Sequence, residues 1–509
     1  MNNKKIFENM KKEFQNYDIL AAEKQHKKHK LSVYERIKIL LDEESFVEIG
    51  QFIKTRSTEF GLDKKVIPRD GVLTGYGTIN SRRVFVYAQD FSAHGGTVGE
   101  VQAKKIEHIQ KLALENGAPL ISLIDSGGAR IEEGISALDG FGRIFTKNVE
   151  ASGVIPQISI ILGNCAGGAA YSPGLTDFIF MVEDISNMFV TGPKVIEKVI
   201  GEKVSMKDLG SSSIHSSKSG VSHFNCSSEE EALEQVKILL SYLPSNYLEL
   251  APKKFTGDSY DRETTHLETL VPEDTSMPYD IKSVINEIFD TSSFFEVQKD
   301  YANNAITGFA RLNSQSVAIV ANQPMQKAGC LNIEASEKIA RFVNFCDAFN
   351  IPIINLVDVP GYFPGVDQET RGIIKHGAGI LYAYAQATVP KISIIIRKAY
   401  GGAYIAMASK TLKYDMVFAW PGAEIAVMGP EQACEILYRR DMEKKSFNFE
   451  KKVEEYKKKY LNPFEAAKSG AIDEIIEPKD TRKTLLRTLD ILQYKREAAI
   501  KKKHGNMPM

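Results

Sequence analysis

The chain is predicted to be an α/β protein built from two tandem domains of one fold, the second an internal repeat of the first. Short unbroken apolar runs alternate with stretches of helical spacing, which is the pattern of parallel strands covered on both faces by helices. The runs and the loops after them recur in the same order later in the chain, and 509 residues exceed what one hydrophobic core usually serves.

The repeat can be read residue by residue. Gly117-Ala118-Pro119 leads into the apolar run 120–124 and stops at Asp125; Asn350-Ile351-Pro352 leads into 353–357 and stops at Asp358, a shift of 233 (358 − 125). Val154-Ile155-Pro156 precedes the run 158–162 and the loop Cys165-Ala166-Gly167-Gly168-Ala169. Thr388-Val389-Pro390 precedes 392–396 and Ala399-Tyr400-Gly401-Gly402-Ala403, a shift of 234 (401 − 167). Met188-Phe189-Val190-Thr191-Gly192-Pro193 is answered by Ile425-Ala426-Val427-Met428-Gly429-Pro430, a shift of 237 (430 − 193). Helices are expected over 100–116 and 334–349. The stretch 245–278, rich in Pro, Asp, Thr and Lys and without periodicity, separates the halves, so the domains are set at 1–260 and 261–509, with 1–41 as a helical, partly exposed arm.

Composition narrows the function. Lys plus Arg at 64 balance Asp plus Glu at 65, so no global field draws nucleic acid or an anionic membrane, and any anionic ligand must be held locally. The basic clusters at 26–30 and 501–504 read as solvated helix faces and a tail. Five scattered cysteines without a CxxC pair indicate reduced thiols rather than a disulfide frame or a zinc site. No stretch resembles a signal peptide or reaches the ~18 apolar residues of a membrane span, and a cytoplasmic location is expected.

Both Gly-Gly-Ala loops follow a buried run and open a helical stretch. Glycine lets backbone approach a ligand closely, and amides at a helix N-terminus point at whatever lies before them. Such donors suit an enolate oxygen on a thioester, where one donor is worth about 3–4 kcal/mol in measured analogues. One such loop reads equally well as a tight turn; its recurrence at the matching place suggests two oxygens held opposite one another. A third loop, Asp125-Ser126-Gly127-Gly128-Ala129-Arg130, offers amides and a cation to phosphates, or else a turn with a surface ion pair. HExxH, GxSxG, P-loop and GxGxxG patterns are absent, and Ser172 beside the first loop reads as packing, so neither a protein-borne nucleophile nor a metal is suggested.

These residues bring a family into view. Asp70-Gly71-Val72-Leu73-Thr74-Gly75, the loop 125–130, Val357-Asp358-Val359-Pro360-Gly361, Arg397-Lys398-Ala399-Tyr400-Gly401-Gly402-Ala403-Tyr404, and Ala419-Trp420-Pro421 followed by 423–429 resemble the propionyl-CoA carboxylase β-subunit family, from about residue 31 to the C-terminus. The resemblance implies two crotonase-like (ClpP/crotonase) domains in a homohexamer, a dimer of trimers, with acyl-CoA on the N-terminal domain and biotin on the C-terminal one. It gives the Gly167 and Gly168 amides to the thioester enolate and those of Gly402 and Ala403 to the biotin ureido oxygen. Gly127, Gly128, Ala129, Arg130, Cys165 and Ala166 would bind acyl-CoA, and Gly361, Tyr362, Tyr400 and Gly401 would bind biotin.

The implied reaction moves CO2 from carboxybiotin to the α-carbon of a short acyl-CoA, propionyl-CoA first and acetyl-CoA second, with biotin nitrogen as the base and no metal. No Met-Lys-Met biotinylation motif is present, so a biotin carboxyl carrier protein and a biotin carboxylase subunit are expected as separate partners. The chain departs from the family pattern at Ile405, where propionyl-CoA carboxylases often carry Asp near the acyl group, and at His94, where a bulky apolar residue is usual; His94 is expected to pack half-buried. Other readings are the α-subunit of a methylmalonyl-CoA decarboxylase, which runs the same groups in reverse beside a membrane partner, a crotonase-type hydratase or hydrolase without biotin, and a non-catalytic scaffold.

Overall fold

The apolar runs become strands and the periodic stretches become helices in the computed structural model, which describes residues 3–65, 67–444, 446–497 and 500–508. The first unit holds β1 (Val47–Glu48), β2 (Val72–Ile79), β3 (Arg82–Gln89), β4 (Leu120–Ser126), β5 (Gln157–Ala166), β6 (Phe178–Val182), β7 (Asn187–Phe189) and β8 (Phe224–Cys226). They form one sheet in the order β1-β2-β3-β4-β5-β6-β8, with β7 on the far end of β5. The second unit holds β9 (Phe295–Val297), β10 (Ala305–Leu312), β11 (Gln315–Asn322), β12 (Ile353–Val359), β13 (Lys391–Tyr400), β14 (Met416–Ala419), β15 (Glu424–Ala426) and β16 (Glu474–Ile475). Its order is β9-β10-β11-β12-β13-β14-β16 with β15 on β13, the same sheet strand for strand.

Each unit opens on an antiparallel hairpin and continues as a parallel sheet. The hairpin turns are Asn80-Ser81, with φ of 48° and 63°, and Asn313-Ser314, with φ of 50° and 68°, the positive-φ pair that matches strand twist. One carboxylate caps each turn: Asp42 accepts from the amides of Asn80 and Ser81 at 2.9 and 2.8 Å, and Asp290 from those of Asn313 and Ser314 at 3.1 and 2.9 Å. The Thr78 hydroxyl first, and then these amides, hold the Asp42 carboxyl below its ordinary pKa, while Asp290 is held low against the push of burial by the amides, Arg482 and Thr256.

Helices Glu100–Glu115 and Ile333–Ala348 pack on the sheets through Ile106, Ile109 and Ala113, and through Ile339 and Val343, and each lies against a second helix, Ile135–Ala151 or Ile373–Gln386. Val33–Leu40 begins with a capping box between Ser32 and Glu35, whereas Asn3–His26 ahead of it is mostly exposed.

The compact units are Met1–Glu249 and Leu250–Met509, so the boundary set at 260/261 falls inside the second unit. Hydrogen bonds explain the difference. The Lys254 amide donates to Ser314 O at 3.0 Å, Arg311 donates to Pro252 O at 3.1 Å, and Thr256 Oγ1 donates to Asp290 at 2.7 Å, tying the aperiodic stretch to the second hairpin.

Each unit also buries a lysine at the same place (338 − 105 = 233). Lys338 Nζ donates to the carbonyls of Gln298, Tyr301 and Ala305 at 2.9, 2.8 and 2.8 Å, and Lys105 Nζ to those of Arg69 and Val72 at 2.9 and 2.6 Å. Burial pushes their pKa values down, to about 7 and about 8. Lys338→Met would leave three buried carbonyls short of a donor, each costing about 1–3 kcal/mol. A denaturant titration of that variant should show a loss of about 3 kcal/mol or more in the unfolding of the second unit.

Candidate active site

The glycine loops sit where the parallel ladder breaks. The β4–β5 register shifts between Ile124 and Ser126, and the β12–β13 register shifts between Val357 and Val359, 233 residues on. Beyond each break the middle strand ends on a glycine and turns directly into a helix. Gly167 has φ 60° and ψ −127°, followed by the helix Gly168–Gly174; Gly401, with φ 58°, begins the helix Gly401–Ala408. A side chain is strained at either φ.

In the first unit the Gly167 N–H donates to Phe189 O on β7 at 3.0 Å. That amide, expected to face the enolate, is therefore engaged within the protein, and the donors that open this helix are Gly168 and Ala169, which have no acceptor inside it. The loop 127–129 lies beside them. Gly127 N–H donates to Gly95 O at 2.9 Å, Gly128 N–H to Ser126 Oγ at 3.1 Å, and a Cβ on Gly128 would come within 2.8 Å of Ala166 O. The expected acyl-CoA residues Gly127, Gly128, Ala129, Ala166 and Gly168 are thus brought together on one patch of backbone.

Two expected ligands are supports instead. Arg130 is fully buried, bonded to Asp70 and Glu133 at 2.7 and 2.8 Å and to Thr97 O at 3.0 Å, so its guanidinium holds the loop's foot and has no path to a phosphate. The Cys165 thiol is fully buried and donates to Ala169 O at 3.2 Å; burial pushes its pKa up, the opposite of a reactive thiolate. Ser172 packs as expected, donating to Asn148 Oδ1 at 2.9 Å. His94 is half-buried beside the loop, paired with Glu132 at 3.0 Å rather than only packed.

The second unit repeats the backbone with different side chains. Leu331 N–H donates to Gly361 O at 3.0 Å and Phe363 N–H to Leu331 O at 2.8 Å, as Val98 and Arg130 do around Gly128 at 2.9 Å each. Here a cavity of ≈ 670 Å³ opens, lined among others by Gly361, Tyr362, Lys398, Tyr400, Gly401 and Gly402. The Tyr400 hydroxyl donates to Glu424, the Lys398 ammonium donates to Thr275 O at 2.7 Å, and burial holds Tyr362 as a neutral phenol by pushing it up to about 12. Ala403 is wholly buried and stands behind Gly402, outside the cavity lining. Ile405 stands outside the cavity lining at 45% exposure, at the place of the first unit's Tyr171 (405 − 234), itself 53% exposed.

Two features escaped the sequence. A cavity of ≈ 450 Å³ beside Glu100–Glu115 is lined by apolar Ile49, Phe52 and Val101 and by basic Lys54, Arg56 and His108. Thr55, between two of those cations, bonds Glu133 at 3.2 Å, and Glu133 in turn holds Arg130. The cluster at 26–30, read as solvated, instead sends Lys30 inward to Asp125 with its side chain 13% exposed. A signal existed for this: the second half carries Arg397 near Asp358, and the matching residue of the first half is a glycine.

Comparison with known proteins agrees with this architecture. The carboxyl transferase domain model matches residues 24–507. The methylmalonyl-CoA decarboxylase subunit alpha of Veillonella parvula is 52% identical over 488 residues, 96% of this chain and 95% of the relative. The propionyl-CoA carboxylase beta chain of Cereibacter sphaeroides is 51% identical over 488 residues, 96% of each. The crystal structure of transcarboxylase 12S, a hexamer with methylmalonyl-coenzyme A and methylmalonic acid bound, superposes with a TM-score of 0.96 at 47% identity, covering 99% of this chain and 98% of that one. With paired crotonase-type units and glycine loops in both halves, the chain belongs to the carboxyl transferase domain family and is a carboxyltransferase of the biotin-dependent acyl-CoA carboxylase type.

Proposed function

We propose that the first unit holds a short acyl-CoA and the second holds biotin, and that the chain transfers CO2 from carboxybiotin to the α-carbon of propionyl-CoA, with acetyl-CoA as a slower substrate. The observation that carries this reading is the same strand-glycine-helix junction in both units, each opening on helix amides. In the first, the Gly168 and Ala169 amides face the thioester oxygen and take up the charge that grows on it as the α-proton leaves. In the second, the Gly402 amide at the cavity wall, with the Ala403 amide next in the helix, serves the urea oxygen and takes up the charge that reaches it when CO2 leaves the ring nitrogen, and the 670 Å³ cavity gives the bicyclic ring room. Carboxybiotin, brought by a carrier protein and charged by a separate biotin carboxylase, supplies the CO2 and the nitrogen base.

The ionisable side chains around the first loop are engaged with one another, Arg130 with Asp70 and Glu133, and His94 with Glu132, which fits a reaction whose base comes from outside the chain. The phosphates of coenzyme A, no longer assigned to Arg130, are given to Lys54 and Arg56 at the basic cavity. Exposed Ile405 would meet the acyl chain across a subunit contact in a hexamer like that of transcarboxylase 12S. A second reading, decarboxylation of methylmalonyl-CoA onto biotin, is favoured by the Veillonella parvula relative, and uses the same amides in reverse.

A decarboxylation assay with free biotin as acceptor tests the core of the proposal: methylmalonyl-CoA should be consumed faster than malonyl-CoA, and Ile405→Asp should shift that ratio by roughly tenfold. Turnover of neither thioester would refute it. Gly402→Pro removes one amide donor in a helix first turn, where proline is tolerated, and should lower kcat by about 10²-fold. Gly402→Ala keeps the amide, and its Cβ meets Tyr362 at an ordinary 3.6 Å, so it should stay within a few-fold of the parent. Replacing Lys54 and Arg56 together by Gln should raise the acyl-CoA KM about tenfold with the KM for biotin unchanged, in steady-state titrations of each substrate.

A further inference from the structure

Asp125 lies at the register break, one residue before the acyl-CoA loop, and its carboxylate is 1% exposed. Two cations from the N-terminal arm reach it: the Lys30 ammonium donates to Oδ2, and Arg36 Nη1 stands 3.4 Å from the same oxygen. Arg36 is locked in turn, donating to Glu229 at 2.6 Å and to Leu162 O at 3.0 Å, and the Leu31 amide donates to Glu229 at 3.0 Å. Asp125 Oδ1 is buried with no hydrogen-bond partner among the described residues.

The second unit solves the same problem differently. Asp358, 233 residues on, is bonded by Arg397 of the neighbouring strand β13 at 2.9 Å, and its other oxygen accepts the Lys398 amide at 3.1 Å. The residue in the place of Arg397 is Gly163 (397 − 234). A Cβ on Gly163 would overlap Asp125 Oδ1 and lie 2.5 Å from Lys30 Nζ, so the arm's ammonium occupies the room where the second unit places its arginine side chain. Conversely, Arg36 is fourth after the N-cap Ser32, and the residue fourth after the matching N-cap Asp280 is buried Val284. The cation has moved from the strand to the arm.

We infer that Lys30 and Arg36 are positioning residues for the acyl-CoA half of the site: the N-terminal arm supplies the charge that keeps Asp125, and through it the loop 126–129, in place, while the biotin half needs no such help. The inference rests on the reading that the first unit holds acyl-CoA. The path is short. Ser126, next to Asp125, donates to Gly96 O at 2.8 Å and accepts the Gly128 amide at 3.1 Å, and Gly128 lies against Ala166 at the mouth of the Gly168 helix. A carboxylate stripped of its cations does not stay charged in a buried place, and its turning or protonation moves that loop.

The test is Lys30→Met with Arg36→Met in the full-length protein, read by calorimetric titration with methylmalonyl-CoA in the absence of biotin and by the KM for free biotin. The expected result is a rise of at least tenfold in the dissociation constant of methylmalonyl-CoA and a biotin KM within twofold of the parent. Thioester affinity within twofold of the parent, or equal weakening for both substrates, overturns the inference. If circular dichroism shows the double variant unfolded, Asp125→Asn, which keeps the side chain's shape and removes its charge, is judged by the same two constants. A parent protein that binds no methylmalonyl-CoA at all refutes the functional reading itself, and the inference with it.

Discussion

Both units depend on releasing backbone amides from a parallel ladder at one chosen point without unravelling the sheet around it. Strand pairing satisfies amides in a regular alternation, so an amide free to meet a ligand requires a defect in the pairing. Here the defect is the register break at Asp125 and Asp358, with the additional short strands β7 and β15 taking over the far ends of β5 and β13. The glycines at 167 and 401 then turn the chain sharply enough that a helix starts at the break. The rest of the fold, from the capped hairpin turns to the buried lysines, holds that geometry rigid in each half.

A break of this kind concentrates unmet polar groups, and each half must neutralise a buried carboxylate beside it. The neighbouring strand does so in the second unit, and a segment from ahead of the sheet does so in the first. The network around Arg36, Glu229 and Asp125 therefore joins the arm, whose helix Val33–Leu40 is itself buried on one face, to the centre of the first sheet.

Much of this was legible in the sequence because the repeat reports backbone, and backbone is what the reaction uses. The apolar runs, the proline-led strand starts and the paired Gly-Gly-Ala loops all reappear at their predicted places in the two sheets. What escaped were side-chain destinations. Arg130, in a motif that looks made for phosphate, turns back onto Asp70 because that carboxylate is buried within reach. Lys30 sits in a run of charged residues whose spacing suits a solvated face, and only its partner 95 residues away draws it in. The family resemblance gives the Gly167 amide to a ligand, and nothing in the sequence shows that β7 returns beside it to take that bond.

The residue just before the turning glycine is Ala166 in one half and Tyr400 in the other, each paired with the last residue of a short parallel strand. An ancestor with identical halves would have owned two equivalent cradles for an oxygen atom. Filling one with a phenol that reaches Glu424, while leaving the other bare, is enough to make them unlike. Gene duplication followed by divergence at single side chains can thus turn one binding motif into a donor site and an acceptor site, with no new fold in between.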